Sequence, residues 1–106
     1  CRVRIFPQRH LTNNSGNVHG ATTLALIDIA LFAAMYLLRG VNAAGSVTLG
    51  IETQFIGAGD GDKPLDCVVE VLRETRRLGF LRGLVEQEDA LIASFGATIR
   101  KGSVPA

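Results

Sequence analysis

The sequence predicts an α+β domain, an antiparallel β-sheet of about five strands wrapped around one long central α-helix. Three observations carry this reading. A nearly unbroken apolar run, NVHGATTLALIDIALFAAMYLL, spans residues 17–38; the segments after residue 40 alternate apolar and polar residues; and 106 residues, 47% of them hydrophobic, give room for one domain with one core.

The first element is CRVRIF, where Cys1, Val3 and Ile5 oppose Arg2 and Arg4 in the period-two pattern of a strand. A polar, glycine-containing loop, LTNNSGNVHG, then feeds into the apolar run. That run is helical in length and composition, and its one acid is Asp28. A helix apolar on nearly all sides has to be covered nearly all round. The next segment, SVTLGIETQF, turns Leu49, Ile51, Thr53 and Phe55 to one face and Thr48, Gly50, Glu52 and Gln54 to the other. IGAGDGDKP, residues 56–64, is a turn region dense in Gly, Asp and Pro.

A second long strand follows in LDCVVEVLRET, with Leu65, Cys67, Val69 and Val71 on its apolar side. RRLGFLRGLVEQ alternates more weakly; after the acidic turn Glu88-Asp89, LIASFGATIR aligns Leu91, Ala93, Phe95, Ala97 and Ile99. Short turns between these strands predict hairpins and hence antiparallel pairing. There is no internal repeat, low-complexity segment or domain boundary, so residues 1–106 read as one domain.

Composition narrows the function. The net charge of +1 and pI near 8.1 come from basic residues spread along the chain, so no nucleic-acid partner is expected. The mean hydropathy of +0.26 is high for this size, and part of the apolar surface is expected to meet a second copy. A membrane span over residues 21–38 is not expected. Asp28 would cost about 2.5–3.5 kcal/mol at mid-bilayer, and the amphipathic strands need this helix as their core. Cys1 and Cys67 match neither metal-ligand spacing nor a disulfide framework, which predicts two inert thiols in a reducing cytoplasm. The first residue is not Met and no secretory signal is visible; some N-terminal residues are expected to be missing.

Two features bear chemistry. A glycine at a helix N-terminus lets a substrate oxygen approach unpaired backbone N–H groups at the positive end of the macrodipole, which makes Gly20 a candidate oxyanion donor. Asn13, Asn14, Ser15 and Asn17 can equally well form a turn and cap the helix, with His19 packing locally. Asp28, expected to be buried, is either a structural acceptor or a group tuned for acid–base work. Gly20 and Asp28 are eight positions apart, or about 12 Å along one helix. A reacting atom has to lie near 3 Å from both donor and base, so one helix does not deliver both. Two antiparallel helices related by a two-fold axis do, which predicts an active site shared between subunits.

Asn13, then His19-Gly20 six positions on, then Asp28 within the helix, followed by a TLGIETQFIGA strand, resembles the hotdog-fold acyl-CoA thioesterases of the phenylacetate-degradation type. The resemblance covers nearly the whole chain, with VEVLRETRRLGFLRGLVEQEDALIASFGATI matching the final three strands. It implies hydrolysis of acyl-CoA to free acid and CoA in homodimers or homotetramers; no cofactor or metal is expected, since His10 and His19 with scattered acids form no ligand set. By the same resemblance Asn13 orients water or substrate, His19 holds the thioester region and Gly20 donates to its carbonyl oxygen. Asp28 is then the general base or nucleophile, and Thr48 assists the water. The family usually has His-Gly-Gly where this chain has Ala21, and a Pro where this chain has Gly57-Ala58-Gly59.

Among Arg73, Arg76, Arg77, Arg82 and Lys101, the turn residues Arg76 and Arg77 are the expected contacts of the CoA phosphates. Two alternatives stay open from sequence: a hotdog dehydratase or hydratase, and a non-catalytic acyl-CoA-sensing module.

Overall fold

The computed structural model describes residues 1–6, 18–88 and 90–102. The elements follow the expected order: β1 (Arg2–Ile5), α1 (Gly20–Arg39), β2 (Val47–Phe55), β3 (Leu65–Glu74), β4 (Leu78–Gln87) and β5 (Ala90–Arg100). The strands form one antiparallel sheet in the order β1-β3-β4-β5-β2. Hairpins join β3 to β4 and β4 to β5 as expected, but β2 lies at the far edge against β5, so residues 56–64 carry the chain across the sheet.

Helix α1 lies on the sheet through Leu26, Ile27, Ala30, Leu31, Ala34 and Met35, all buried at the i, i+3, i+4, i+7 spacing of one face. Full burial of a Leu, Ile or Met side chain contributes about 1.5–3 kcal/mol, so this face holds helix and sheet together. The helix ends where Gly40 adopts the left-handed conformation, φ 67°, which costs a residue without Cβ little. The Gly40 N–H then donates to the Tyr36 carbonyl at 2.9 Å and the Val41 N–H to the Met35 carbonyl at 3.1 Å, closing the last turn.

Within one chain the helix is covered on its sheet side, and its outward face is open. Ile29 is 61% exposed and Tyr36 62%, with Ala25 beside them and Phe32 half-buried.

Two bulges change the expected facing of residues. Register along β2 shifts between Thr48 and Gly50, leaving Leu49 as the extra residue, so Thr48 pairs with the core residue Ile99 and shares the inner face with Ile51 and Thr53. Along β4 and β5 the shift falls after Val85, and Ile92 (2% exposed) takes the core place expected of Leu91 (41% exposed). In each case one inserted residue breaks the period of two.

The weak alternation of β4 also has a cause. Its inward positions include Gly79 and Gly83. A Cβ on Gly79 would lie 2.6 Å from Met35 Cε, and one on Gly83 would lie 2.2 Å from the Val68 carbonyl oxygen. The backbone of the neighbouring strand excludes a side chain at Gly83, whereas at Gly79 the flexible end of Met35 fills the space.

At the sheet edge, β1 is tied to β3 by charge as well as by backbone pairing. Asp66 accepts from Arg4 Nε at 2.7 Å and from Arg2 at 2.6 Å, and Arg2 also reaches Glu86 at 3.0 Å. The two guanidiniums, Arg4 first, hold the Asp66 carboxyl down at about 2 against the opposing effect of its burial.

Candidate active site

The start of α1 is built by backbone contacts. Val18 N–H donates to the Gly59 carbonyl at 2.7 Å, fixing the chain two residues before the helix. His19 occupies the N-cap in an extended conformation (φ −61°, ψ 143°), and its carbonyl accepts from the N–H groups of Thr22 and Thr23 at 3.0 and 3.2 Å. Its exposed imidazole makes no capping bond. Gly20 is the first helical residue, exposed, with the Phe55 ring 3.5 Å from where a Cβ would stand. No acid lies in the first turn, so nothing there neutralises the positive end of the macrodipole.

Asp28 lies two turns further on. It is half-buried, not buried as expected, because the face of α1 that it borders is the one left open. Thr48 Oγ1 donates to Asp28 Oδ1 at 2.7 Å. The bulge at Leu49 makes this bond: strict alternation would turn Thr48 to the outer face. A hydroxyl and a carboxylate 20 positions apart in sequence thus meet on one polar spot of an apolar surface.

Of the residues predicted from sequence, the structure brings Asp28 and Thr48 together and leaves Gly20 and His19 at the helix start, against Phe55. Asn13 lies outside the described residues. Arg76 and Arg77 are exposed in the β3–β4 turn, which the Lys101 N–H holds through the Arg77 carbonyl at 2.7 Å. That turn lies toward the C-terminal end of α1, where Met35 touches Gly79. Arg82 pairs with Glu70, and Lys101 with Glu74 at 2.7 Å; Arg73, Arg76 and Arg77 form no ion pair among the described residues. Cys67 is buried, which pushes its thiol up to about 12 and leaves it unreactive, as the sequence predicts. A groove of about 720 Å³ over the outer sheet face, between Glu52, Gln54, Arg82 and Ser94, includes one of the basic candidates, Arg82, and none of the predicted catalytic residues.

Sequence reasoning missed Gln87. It is 4% exposed, and its carboxamide makes three hydrogen bonds to the backbone of the β2–β3 loop. The signal was a polar residue at the last inward position of an alternating strand.

The family model of the thioesterase superfamily matches residues 15–93, a span that includes the helix start, Asp28, Thr48, strands β2 to β4 and the start of β5. The chain belongs to the thioesterase superfamily. The enzyme expected from the sequence, a thioesterase, stands on that membership, and the antiparallel sheet with one long helix is the hotdog fold.

Solved structures agree in fold. The conserved protein PA5202 of Pseudomonas aeruginosa is 29% identical with a TM-score of 0.83, over 94% of this chain and 78% of that one. The PaaI protein of the Escherichia coli phenylacetic acid degradation operon superposes with a TM-score of 0.84 at 17% identity, over 98% and 75%. A hypothetical thioesterase of Streptococcus pneumoniae, solved with coenzyme A, gives 0.83 at 19% identity, over 98% and 82%. No curated protein matches the chain in sequence.

Proposed function

We propose that this thioesterase hydrolyses acyl-CoA in a site shared by two subunits, with Asp28 as general base or nucleophile and the Gly20 N–H as oxyanion donor. The observation that carries the proposal is the Thr48–Asp28 hydrogen bond, which holds a lone carboxylate in one orientation on an apolar surface. As a base, Asp28 takes a proton from water, whose oxygen attacks the thioester carbon. As a nucleophile it attacks that carbon itself, and water then hydrolyses the mixed anhydride. In both routes the C–S bond breaks and the sulfur leaves as CoA thiolate, which takes up the proton. Charge developing on the carbonyl oxygen is met by the helix-terminal N–H groups, a contribution whose loss typically costs about 10²–10³ in rate.

Sharing is supported by the two sheet edges. β1 is four residues long and carries Arg2 and Arg4, whereas β2 is nine residues long with Val47, Leu49 and Phe55 exposed. A long apolar edge strand is a template for pairing. Antiparallel pairing of β2 with its copy about Ile51, its midpoint, would set Val47 and Thr48 opposite the Phe55 end of the partner strand. Phe55 is the residue against Gly20, so this two-fold pairing would bring a partner's helix start toward Asp28. The β3–β4 turn with Arg76 and Arg77 lies at the same end of the sheet as Val47, because Leu78 and Val47 both pair with Arg100. It could meet the CoA phosphates there. Open face to open face, two such dimers could form a tetramer through α1. The two free thiols fit a reducing cytoplasm.

Two measurements test this. Thiol release from short, medium, long-chain and aromatic acyl-CoAs should be detected with wild type and be lost in Asp28→Asn; equal turnover by both would end the mechanism. Heterodimers of Asp28→Ala and Gly20→Val chains, each inactive alone, should recover up to one working site per dimer. Verified heterodimers without activity would show that each site is built within one chain.

A further inference from the structure

We propose that Gln87 is a positioning residue for the reaction: from the end of β4 it holds the β2–β3 loop, and through that loop the helix start whose Gly20 N–H faces the thioester oxygen. The inference rests on the oxyanion reading of Gly20.

The path is a continuous set of short contacts. The Gln87 Oε1 accepts from the Asp60 N–H at 2.7 Å, and Nε2 donates to the carbonyls of Asp60 at 2.8 Å and Lys63 at 3.1 Å. One buried carboxamide therefore satisfies three backbone groups of a loop that belongs to no strand. Within the loop, Asp60 Oδ1 accepts from the Asp62 N–H at 2.9 Å and the Lys63 N–H reaches the Asp60 carbonyl at 3.3 Å, so the segment is a closed turn. The residue before it, Gly59, accepts from the Val18 N–H at 2.7 Å. It also lies flat against Val18, with only 3.1 Å between a Cβ built there and Val18 Cβ. Val18 is buried and stands two residues before Gly20.

What makes this path matter is the cap. His19 gives the helix start no side-chain capping bond, and among the described residues the pairing of Val18 with Gly59 anchors the chain immediately before α1. An oxyanion donor is effective only within a few tenths of an ångström of its working position, and misplacement by about 1 Å can cost on the order of 100-fold. A rigid β4 transmitting its position through Gln87 supplies that precision from outside the site. Gln87 touches neither substrate nor Asp28 in this scheme; it acts by where it puts Gly20.

The test compares Gln87→Leu with wild type, using the acyl-CoA turned over best in the panel above. In folded enzyme of unchanged oligomeric state, kcat is expected to fall about 10- to 100-fold while KM changes less than about threefold. The distinguishing readout is the infrared carbonyl stretch of the same acyl-CoA, ¹³C-labelled at the carbonyl and bound to enzyme carrying Asp28→Asn. That stretch should be shifted to lower frequency than in free thioester, and adding Gln87→Leu should return it toward the free value. A purely structural Gln87 would lower the melting temperature yet leave kcat within about twofold and the shifted stretch in place, and that result overturns the proposal. Absence of any shift in Asp28→Asn alone removes the oxyanion reading itself, and the proposal with it. If Gln87→Leu does not fold, Gln87→Glu, which keeps an acceptor for Asp60, and Gly59→Ala, which presses on Val18, carry the same comparison.

Discussion

Replacing Thr48 by Val removes one hydroxyl and almost no volume, and it tests whether orientation of Asp28 matters. The bond it deletes is 2.7 Å long and ends on a carboxylate oxygen at a half-buried position. Hydrogen bonds to charged groups contribute about 1.5–3 kcal/mol. If that energy holds Asp28 in the reactive rotamer, its loss corresponds to about 10- to 150-fold in kcat at roughly 1.4 kcal/mol per tenfold. Thr48→Ser keeps the donor and should stay within about threefold of wild type. The assay is steady-state thiol release on folded protein, checked by circular dichroism and thermal melting. A Thr48→Val enzyme with unchanged or higher kcat would refute the reasoning, because it would mean that the hydroxyl only restrains the carboxylate.

Other outcomes follow from the same structure. Asp66, with a folded value near 2 against a usual 3.8, favours the folded state above the higher value; that contribution is lost as pH falls from about 4 through 2. Acid titration of stability should therefore be shallower in Asp66→Asn, by about 1–2 kcal/mol after screening around the exposed guanidiniums. Gly83→Ala should lower the urea midpoint by an amount equivalent to at least about 1–3 kcal/mol, since its Cβ would press on the Val68 carbonyl and the Phe95 ring. In native protein at pH 8 an aromatic disulfide reagent should leave Cys67 untouched and modify it only after denaturation.

Much of this was legible in the sequence because it rests on periodicity. The apolar run ends at the Gly40 cap, β2 through β5 begin and end within a residue or two of their alternating segments, and the weak pattern of β4 reflects the two glycines on its inner side. The errors lie where one residue breaks the period. Leu49 and Ile92 are ordinary apolar residues in good strand contexts, and nothing local marks either position as irregular; pairing with the neighbouring strand decides it. Asp28 stood out by its apolar surroundings, and Thr48 by family resemblance, yet their contact depends on the first of those bulges. Gln87 escaped notice because its role is set by a loop 24 to 27 positions away, a separation no window of residues spans.

The bare β2 edge has a consequence for any pairing of copies. β2 is long and bare, while β1 is short and bordered by two arginines held on Asp66. Any antiparallel pairing through β2 uses up the open edge of both chains at once and leaves a β1 at each outer margin. In that arrangement the strand that joins two copies would no longer be open to a third, so the contact that builds the site would also remove the most exposed apolar edge from solvent.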